Sequence, residues 1–241
     1  MRLGFLGCGV IASAVVRGLA GKGHQITVSQ RSATHSAALA AAYKDVTVAA
    51  NQAVVDASDL VFLGLMAETA EAVLNELTFR ADQKVVSFMA GADLDHVADW
   101  AAPAAAAAVM IPFPGIAQGG SPVMALGDTA LLAGLFEPDN RVFALRSNAE
   151  LKAYLSAQAV LSPAARLVGD AADWLGQRVS DPVQAEDFLR MLVSANLQAS
   201  GCADLIEALN TPGGFNQRLR LHMEEAGMRE NLSAGLSELE R

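Results

Sequence analysis

Three places in this chain combine residue types and spacings that can do chemistry. The first is Gly7-Cys-Gly-Val-Ile-Ala12, which has the GxGxxA spacing. Gly7 permits a tight turn, Gly9 lets the backbone approach phosphate oxygens, and Ala12 lets the following helix pack closely on the preceding strand. A helix opened in this way presents unpaired N–H groups and the positive end of its dipole. Gly7, Gly9, Val10 and Ile11 therefore suit a dinucleotide pyrophosphate. Cys8 inside the turn is a candidate reactive thiol, but a small packing residue is the better reading.

The second place is Ser29-Gln30-Arg31-Ser32, about 20 residues beyond the glycines, where an NAD-selective site carries Asp or Glu for the ribose 2′-hydroxyl. No acid occurs here until Asp45. The missing carboxylate and the present arginine favour NADP. Arg31 can pair with a 2′-phosphate and stack on adenine, Ser32 can donate to the same phosphate, and Gln30 stands beside them. A solvated arginine after a strand is the alternative. The third place is Asn210-Thr-Pro-Gly-Gly-Phe-Asn216. Thr211 suits an N-cap, and Gly213 with Gly214 allows consecutive N–H groups to converge on an anion such as a substrate carboxylate. The turn reads equally as a plain helix cap.

The elements that must position these residues follow from apolar patterning. Leu3–Leu6, Gln25–Ser29, Val46–Ala49, Leu60–Leu65 and Lys84–Ser87 read as strands, with helices over Ala12–Leu19, Ala33–Tyr43 and Glu68–Leu77. Such alternation implies a parallel sheet covered on both faces, with ligands beyond the carboxyl ends of its strands. Leu65, Met66, Ala90 and Gly91 should therefore border the cofactor, although Gly91 also reads as a turn cap. The Ala101–Ala108 tract is expected to be a loop or short helix, after which Val109–Ile111 resumes as a strand. Pro112–Gly120 is a rigid loop that shapes a substrate pocket or simply connects. From Asn148 onward the chain is helix-forming, with Pro163 expected to kink the first helix and Ser180-Asp-Pro182 to open the next. The boundaries expected are 1–147 for an α/β, Rossmann-type parallel-sheet domain and 148–241 for an all-helical domain. Its Ala- and Leu-rich helices are too few to cover one another, so a homodimer or higher homo-oligomer is expected.

Composition narrows the partners. The chain carries 17 Lys and Arg against 26 Asp and Glu, a net charge of −9, which argues against nucleic acid or an anionic membrane surface. Two cysteines at no metal-ligand spacing and a Met1 that leads straight into a strand read as a reducing, cytoplasmic protein with no metal. No apolar run reaches the roughly 18 residues of a membrane span. His24, His35, His96 and His222 show no spacing of a base or ligand set and read as surface residues.

Taken in order, the GxGxxA turn, Gln30-Arg31-Ser32, Val86-Ser-Phe-Met-Ala-Gly-Ala92 and above all Thr211-Pro-Gly-Gly214 resemble the pyrroline-5-carboxylate reductase family over almost the whole chain. The resemblance implies that NADPH reduces a cyclic imino acid and that the helical part dimerises, with each site near the partner chain. It places Thr211, Gly213, Gly214 and Asn216 around the substrate. There are departures. Phe215-Asn216 stand where a pair of small residues ending in threonine is usual. Ile111-Pro-Phe-Pro-Gly115 replaces Met-Pro-Asn-Thr-Pro, Met66-Ala67-Glu68 replaces Lys-Pro-Gln, and Pro163-Ala-Ala165 lacks the usual tyrosine. Pyrroline-5-carboxylate or a close analogue is thus the expected substrate. Another NADP-linked oxidoreductase on the same scaffold and a non-catalytic NADP-binding dimer stay open.

Overall fold

A computed structural model describes residues 1–240. Met1–Lys152 form one compact unit and the residues from Ala153 a second. The first unit holds strands β1 (Arg2–Leu6), β2 (Gln25–Ser29), β3 (Val46–Ala49), β4 (Leu60–Leu63), β5 (Lys84–Ser87), β6 (Ala105–Pro112), β7 (Pro122–Gly127) and β8 (Arg141–Leu145). Between them run helices α1 (Val10–Leu19), α2 (Ala33–Ala42), α3 (Asn51–Asp56), α4 (Ala67–Leu74), α5 (Leu94–Trp100) and α6 (Thr129–Phe136). The strands make one sheet in the order β3-β2-β1-β4-β5-β6-β7-β8, a Rossmann-type arrangement with an extension.

Every residue of β4 is buried, because the sheet is covered on both sides. Leu60 and Phe62 face one core cluster with Leu3, Phe5 and Leu19, and the Phe5 and Phe62 rings stack 4.7 Å apart. Val61 and Leu63 face the other, with Leu6, Leu74 and Val97. Fully burying each such side chain is worth about 1.5–3 kcal/mol, so the frame around the strand ends is stiff.

Two expectations need correction here. The sheet is not wholly parallel: β7 runs antiparallel to β6, pairing Ala108 with Gly127 and Pro112 with Val123. The connection from Pro112 to Pro122 contains only one 3-10 turn (Pro114–Ala117), too little chain for a crossover helix. The alanine tract is also not a loop or helix from residue 105 onward, since Ala105 and Ala106 pair with Lys84 and Val85, and Ala108 pairs with both Val86 and Gly127. Pairing on both sides overrides the helix propensity of alanine.

The second unit is helical. Helix α7 (Asn148–Ala157) spans the boundary; α8 (Leu161–Gly176), α9 (Pro182–Ala199), α10 (Cys202–Ala208), α11 (Phe215–Glu225) and α12 (Met228–Leu239) follow. Asp181 caps α9 by accepting from the Gln184 N–H, with Pro182 in its first turn. Pro163 does not kink a continuous helix. The interruption is a 3-10 turn at Gln158–Val160, and Pro163 lies in the first turn of α8, where its missing N–H costs nothing. Trp174, Phe188, Met191 and Leu197 are all exposed, and of α8 to α12 only Ala172 and Ala185 are buried. No helix among the described residues is long and apolar enough to cross a membrane.

Candidate functional site

The Gly7 turn is held from three directions. Its φ of 83° is one that side chains rarely adopt. A Cβ there would lie 2.3 Å from the carbonyl oxygen of Gly64, which follows β4, and the Gly7 N–H donates to the buried Ser29 Oγ at 2.9 Å. Gly64 is equally confined, since a Cβ on it would stand 2.6 Å from Gly7 O and 3.1 Å from the Ala12 methyl. The small Ala12 thus lets α1 settle on the ends of β1 and β4. Gly9 is different: it is the N-cap of α1, makes no side-chain cap, and a Cβ on it would meet nothing within 4 Å. The first backbone bond of α1 runs from Ser13 N–H to Gly9 O, which leaves the N–H groups of Val10, Ile11 and Ala12 without a protein acceptor. Ile11 is partly covered and Val10 exposed beside them. The glycine that could carry a side chain faces open space in front of free donors. That geometry fits a pyrophosphate.

Cys8 in this turn is fully buried, and burial pushes its thiol above the ordinary range, so it packs and does not act as a nucleophile.

At the end of β2, Ser29 is pinned from below by the Ser36 hydroxyl, which donates to its carbonyl at 2.7 Å. Gln30 and Arg31 are exposed, and Ser32 is partly covered as the N-cap of α2 but caps nothing with its side chain. The N–H groups of Ala33, Thr34 and His35 therefore lack acceptors, the first bond being Ser36 N–H to Ser32 O. Arg31 makes no ion pair among the described residues. The first acid after the strand, Asp45, is committed to the Gly21 N–H at 2.7 Å. An unpaired guanidinium beside an uncapped helix start is a dianion's environment.

The chain leaves β4 and β5 at this same sheet edge, because Leu6, Leu63 and Ser87 end in register. Met66 is exposed as the N-cap of α4, Leu65 partly covered, and Ala90 and Gly91 exposed in the turn after β5. A Cβ on Gly91 would come within 3.3 Å of the Ala67 methyl, so the two loops touch. Gly91 has no positive φ, and close approach is what its size serves. Beyond β6, Phe113 emerges at the same edge ahead of the Pro114–Ala117 turn.

In the second unit the Thr211–Gly214 turn departs from expectation. Thr211 is not the N-cap of α11; Gly214 is, without any side-chain cap. Thr211 contributes its carbonyl instead, accepting from Gly214 N–H at 2.9 Å. Gly213, at φ 72°, donates its N–H to Gln217 Oε1 at 2.8 Å. The two glycine N–H groups are therefore used within the turn and do not converge on an external anion. The free donors are the next three, on Phe215, Asn216 and Gln217, ahead of the bond from Arg218 N–H to Gly214 O. Asn216 and Phe215 are exposed, Phe215 at 87%.

Residues 2–91 match the family model described as NADP oxidoreductase, coenzyme F420-dependent. No curated protein sequence matches the chain. Among solved structures, the 1-pyrroline-5-carboxylate reductase of Streptococcus pyogenes superposes with a TM-score of 0.83 at 22% identity, over 100% of this chain and 96% of that one. The fold is that of the pyrroline-5-carboxylate reductases. The Plasmodium falciparum pyrroline carboxylate reductase, solved with NADP bound, gives the same TM-score at 11% identity over 100% and 95% of the two chains. A reductive aminase from Aspergillus terreus, in complex with an NADPH form, cyclohexanone and allyl amine, superposes less closely, at TM-score 0.61 and 21% identity over 99% and 86%. At such identities the likeness is one of fold.

Sequence reasoning did not weigh Gly64, Ser29 or Gln217. Gly64 carried a signal, a glycine directly after an all-apolar strand at a strand end. Gln217 carried one too, standing at the third helical position after a glycine turn, where a side chain reaches back to orphan N–H groups.

Proposed function

We propose that this protein is an NADPH-dependent reductase of a cyclic imino acid, pyrroline-5-carboxylate or a close analogue, and that it works as a homodimer built on its helical part. The observation that carries the reading is the pairing of an open, uncapped Gly9 start on α1 with the likeness to pyrroline-5-carboxylate reductases along the whole chain. NADP in preference to NAD is supported by the unpaired Arg31, the uncapped α2 and the committed Asp45. NADPH, when bound, supplies hydride from its nicotinamide ring.

The chain's own part is to bind, orient and exclude water. The N–H groups of Val10, Ile11 and Ala12 receive the pyrophosphate, and Arg31 with Ser32 receives the 2′-phosphate. Leu65, Met66, Ala90 and Gly91 border the nicotinamide half. In the second unit the free N–H groups at the start of α11 donate to the substrate carboxylate, and Asn216 hydrogen-bonds the carboxylate or ring nitrogen. Thr211, Gly213 and Gly214 hold the turn. A protonated imine already attracts hydride, so holding the imine carbon about 3–3.5 Å from the donor is most of what is asked. The dimer reading is supported by the exposed apolar residues of α8 and α9.

A second reading is another imine or carbonyl substrate on the same scaffold. It is favoured by the aromatic Phe113 and Phe215 and by the likeness to a reductive aminase. NADPH oxidation followed at 340 nm with pyrroline-5-carboxylate, and with neutral imines and ketones, tests both. Turnover of the imino acid that falls on Asn216→Ala with NADPH affinity intact is expected. Turnover confined to neutral imines or ketones moves the assignment to the second reading, and tight NADPH binding with no turnover of any of them makes the protein a binding dimer.

A further inference from the structure

The turn ahead of α11 is closed by one side chain that the functional reading does not use. Gln217 Oε1 accepts from Gly213 N–H at 2.8 Å, while Gln217 Nε2 donates to Asn210 Oδ1 at 3.1 Å. Arg220 completes the ring, donating to the same Asn210 Oδ1 at 2.9 Å and to both carboxylate oxygens of Glu224 at 2.8 and 2.9 Å. No apolar core holds this segment: Thr211, Pro212, Gly213, Phe215 and Asn216 are exposed. The left-handed Gly213 and the direction in which the first three N–H groups of α11 point therefore depend on a ring of polar side chains.

We propose that Gln217 is the positioning residue of this turn. By occupying the Gly213 N–H it removes that donor from the substrate's reach and fixes the next three amides, on Phe215, Asn216 and Gln217, as the group that receives the carboxylate. The inference rests on the imino-acid reading above. Gln217 does not touch the reacting atoms; it acts through the backbone it holds. The amide N–H groups at a helix start are useful to an anion only while they point together, and a flexible Gly213-Gly214 pair would otherwise spend much of its time elsewhere.

Two variants in the full chain test this. Gln217→Met keeps the length of the side chain and loses both bonds. It should speed hydrogen exchange at the Gly213 amide by about tenfold, and raise KM for the imino acid roughly five- to tenfold, with kcat and NADPH affinity nearly unchanged. Gln217→Glu can still accept from Gly213 N–H, with Arg220 at hand to balance the charge, so the amide stays protected. Its carboxylate beside the receiving amides should raise KM for the imino acid but not for the same cyclic imine lacking a carboxylate.

A purely structural glutamine predicts unchanged KM in Gln217→Glu, and that result overturns the proposal. So does a Gln217→Met variant that loses Gly213 protection while its KM stays put, or one in which protection is never lost. Wild-type protein that binds NADPH yet reduces no imino acid overturns the functional reading and the positioning role together. That case is told apart by the absence of turnover, since a failure of the positioning role alone leaves wild-type turnover intact.

Discussion

Four helices of this protein open on a glycine without a side-chain cap, and two of them, α1 and α11, are held in opposite ways. At the start of α1, Gly7 is clamped between Gly64 O and Ser29 Oγ, and everything beneath it belongs to the buried core. At the start of α11, Gly213 is exposed and held by Gln217 within a ring of polar side chains. Both present three free N–H groups. The first is rigid because moving it means opening packed backbone, the second because a few net hydrogen bonds, each worth about 1 kcal/mol, agree on one arrangement. A cofactor common to every turnover suits the first kind of site. A substrate that must enter and leave suits the second.

The largest effect that can break this contrast lies at the packed start. Gly64→Ala places a methyl 2.6 Å from the Gly7 carbonyl and should destabilise the first unit by about 3 kcal/mol, abolishing NADPH binding as the turn shifts. Gly9→Ala, two residues beyond Gly7, adds its methyl to open space. It should leave the urea midpoint within about 0.5 kcal/mol of wild type while weakening NADPH at least tenfold, about 1.4 kcal/mol. Urea titrations with and without NADPH measure both. If Gly9→Ala proves as destabilising as Gly64→Ala, or leaves NADPH affinity untouched, the open space in front of α1 is not the phosphate's place.

The same contrast holds between the units. The strands of the first bury large apolar side chains on both faces, whereas α8 and α9 keep Leu167, Trp174, Phe188 and Met191 exposed. Exposed apolar surface of this kind is what the proposed dimer would cover. Phe188→Asp with Met191→Asp removes apolar area that the unit's own core does not use. Sedimentation should then shift from dimer to monomer, with the dimer weakened by about a hundredfold or more. A wild-type protein that sediments as a monomer at micromolar concentration sinks the dimer reading.

Smaller again is the effect at Arg31, proposed for the 2′-phosphate and, unlike the partly covered Gln217, exposed. Arg31→Ala should raise the Kd of NADPH about tenfold and leave NADH nearly unchanged, because only the former carries the 2′-phosphate. Equal losses for both cofactors would refute that assignment.

How much of this was legible in the sequence follows the same division. Strands β2, β3 and β5 fall on the residues that their apolar runs mark, since turn residues bound each run, and in β2 and β5 burial leaves little choice of register. The Gly7 turn was legible for the same reason: its glycines answer to local backbone needs. Strand β6 was not, because four alanines have no period and a helix former becomes a strand only through partners at Lys84 and Gly127. Strands β7 and β8 and helices α3, α5 and α6 went unread, β7 being a strand whose direction is set by a short return and not by its residues. The α11 turn was located by its Thr-Pro-Gly-Gly residues but its donors were misassigned. Which N–H is free depends on a side chain four residues downstream, and spacing alone does not say that Gln217 turns back.

The smallest expected effect concerns pH, and it separates the first unit from the α11 turn. His24, between α1 and β2, keeps its Nδ1 buried without a partner, and burial holds its pKa below the usual 6.5. Between the lowered folded value and 6.5 the unfolded chain binds more protons than the folded one. Stability contributed by the neutral imidazole is therefore present above about pH 6.5 and lost as pH falls through the folded value. The ring at α11 consists of Asn210, Gln217 and Arg220, the last paired with Glu224, and His24 has no part in it. Lowering the pH from 7.5 to 5.5 should thus reduce the urea midpoint of the first unit while leaving Gly213 amide protection unchanged, and His24→Leu should flatten the first response without touching the second. A pH response of the same size in His24→Leu would assign the effect to other groups of the first unit.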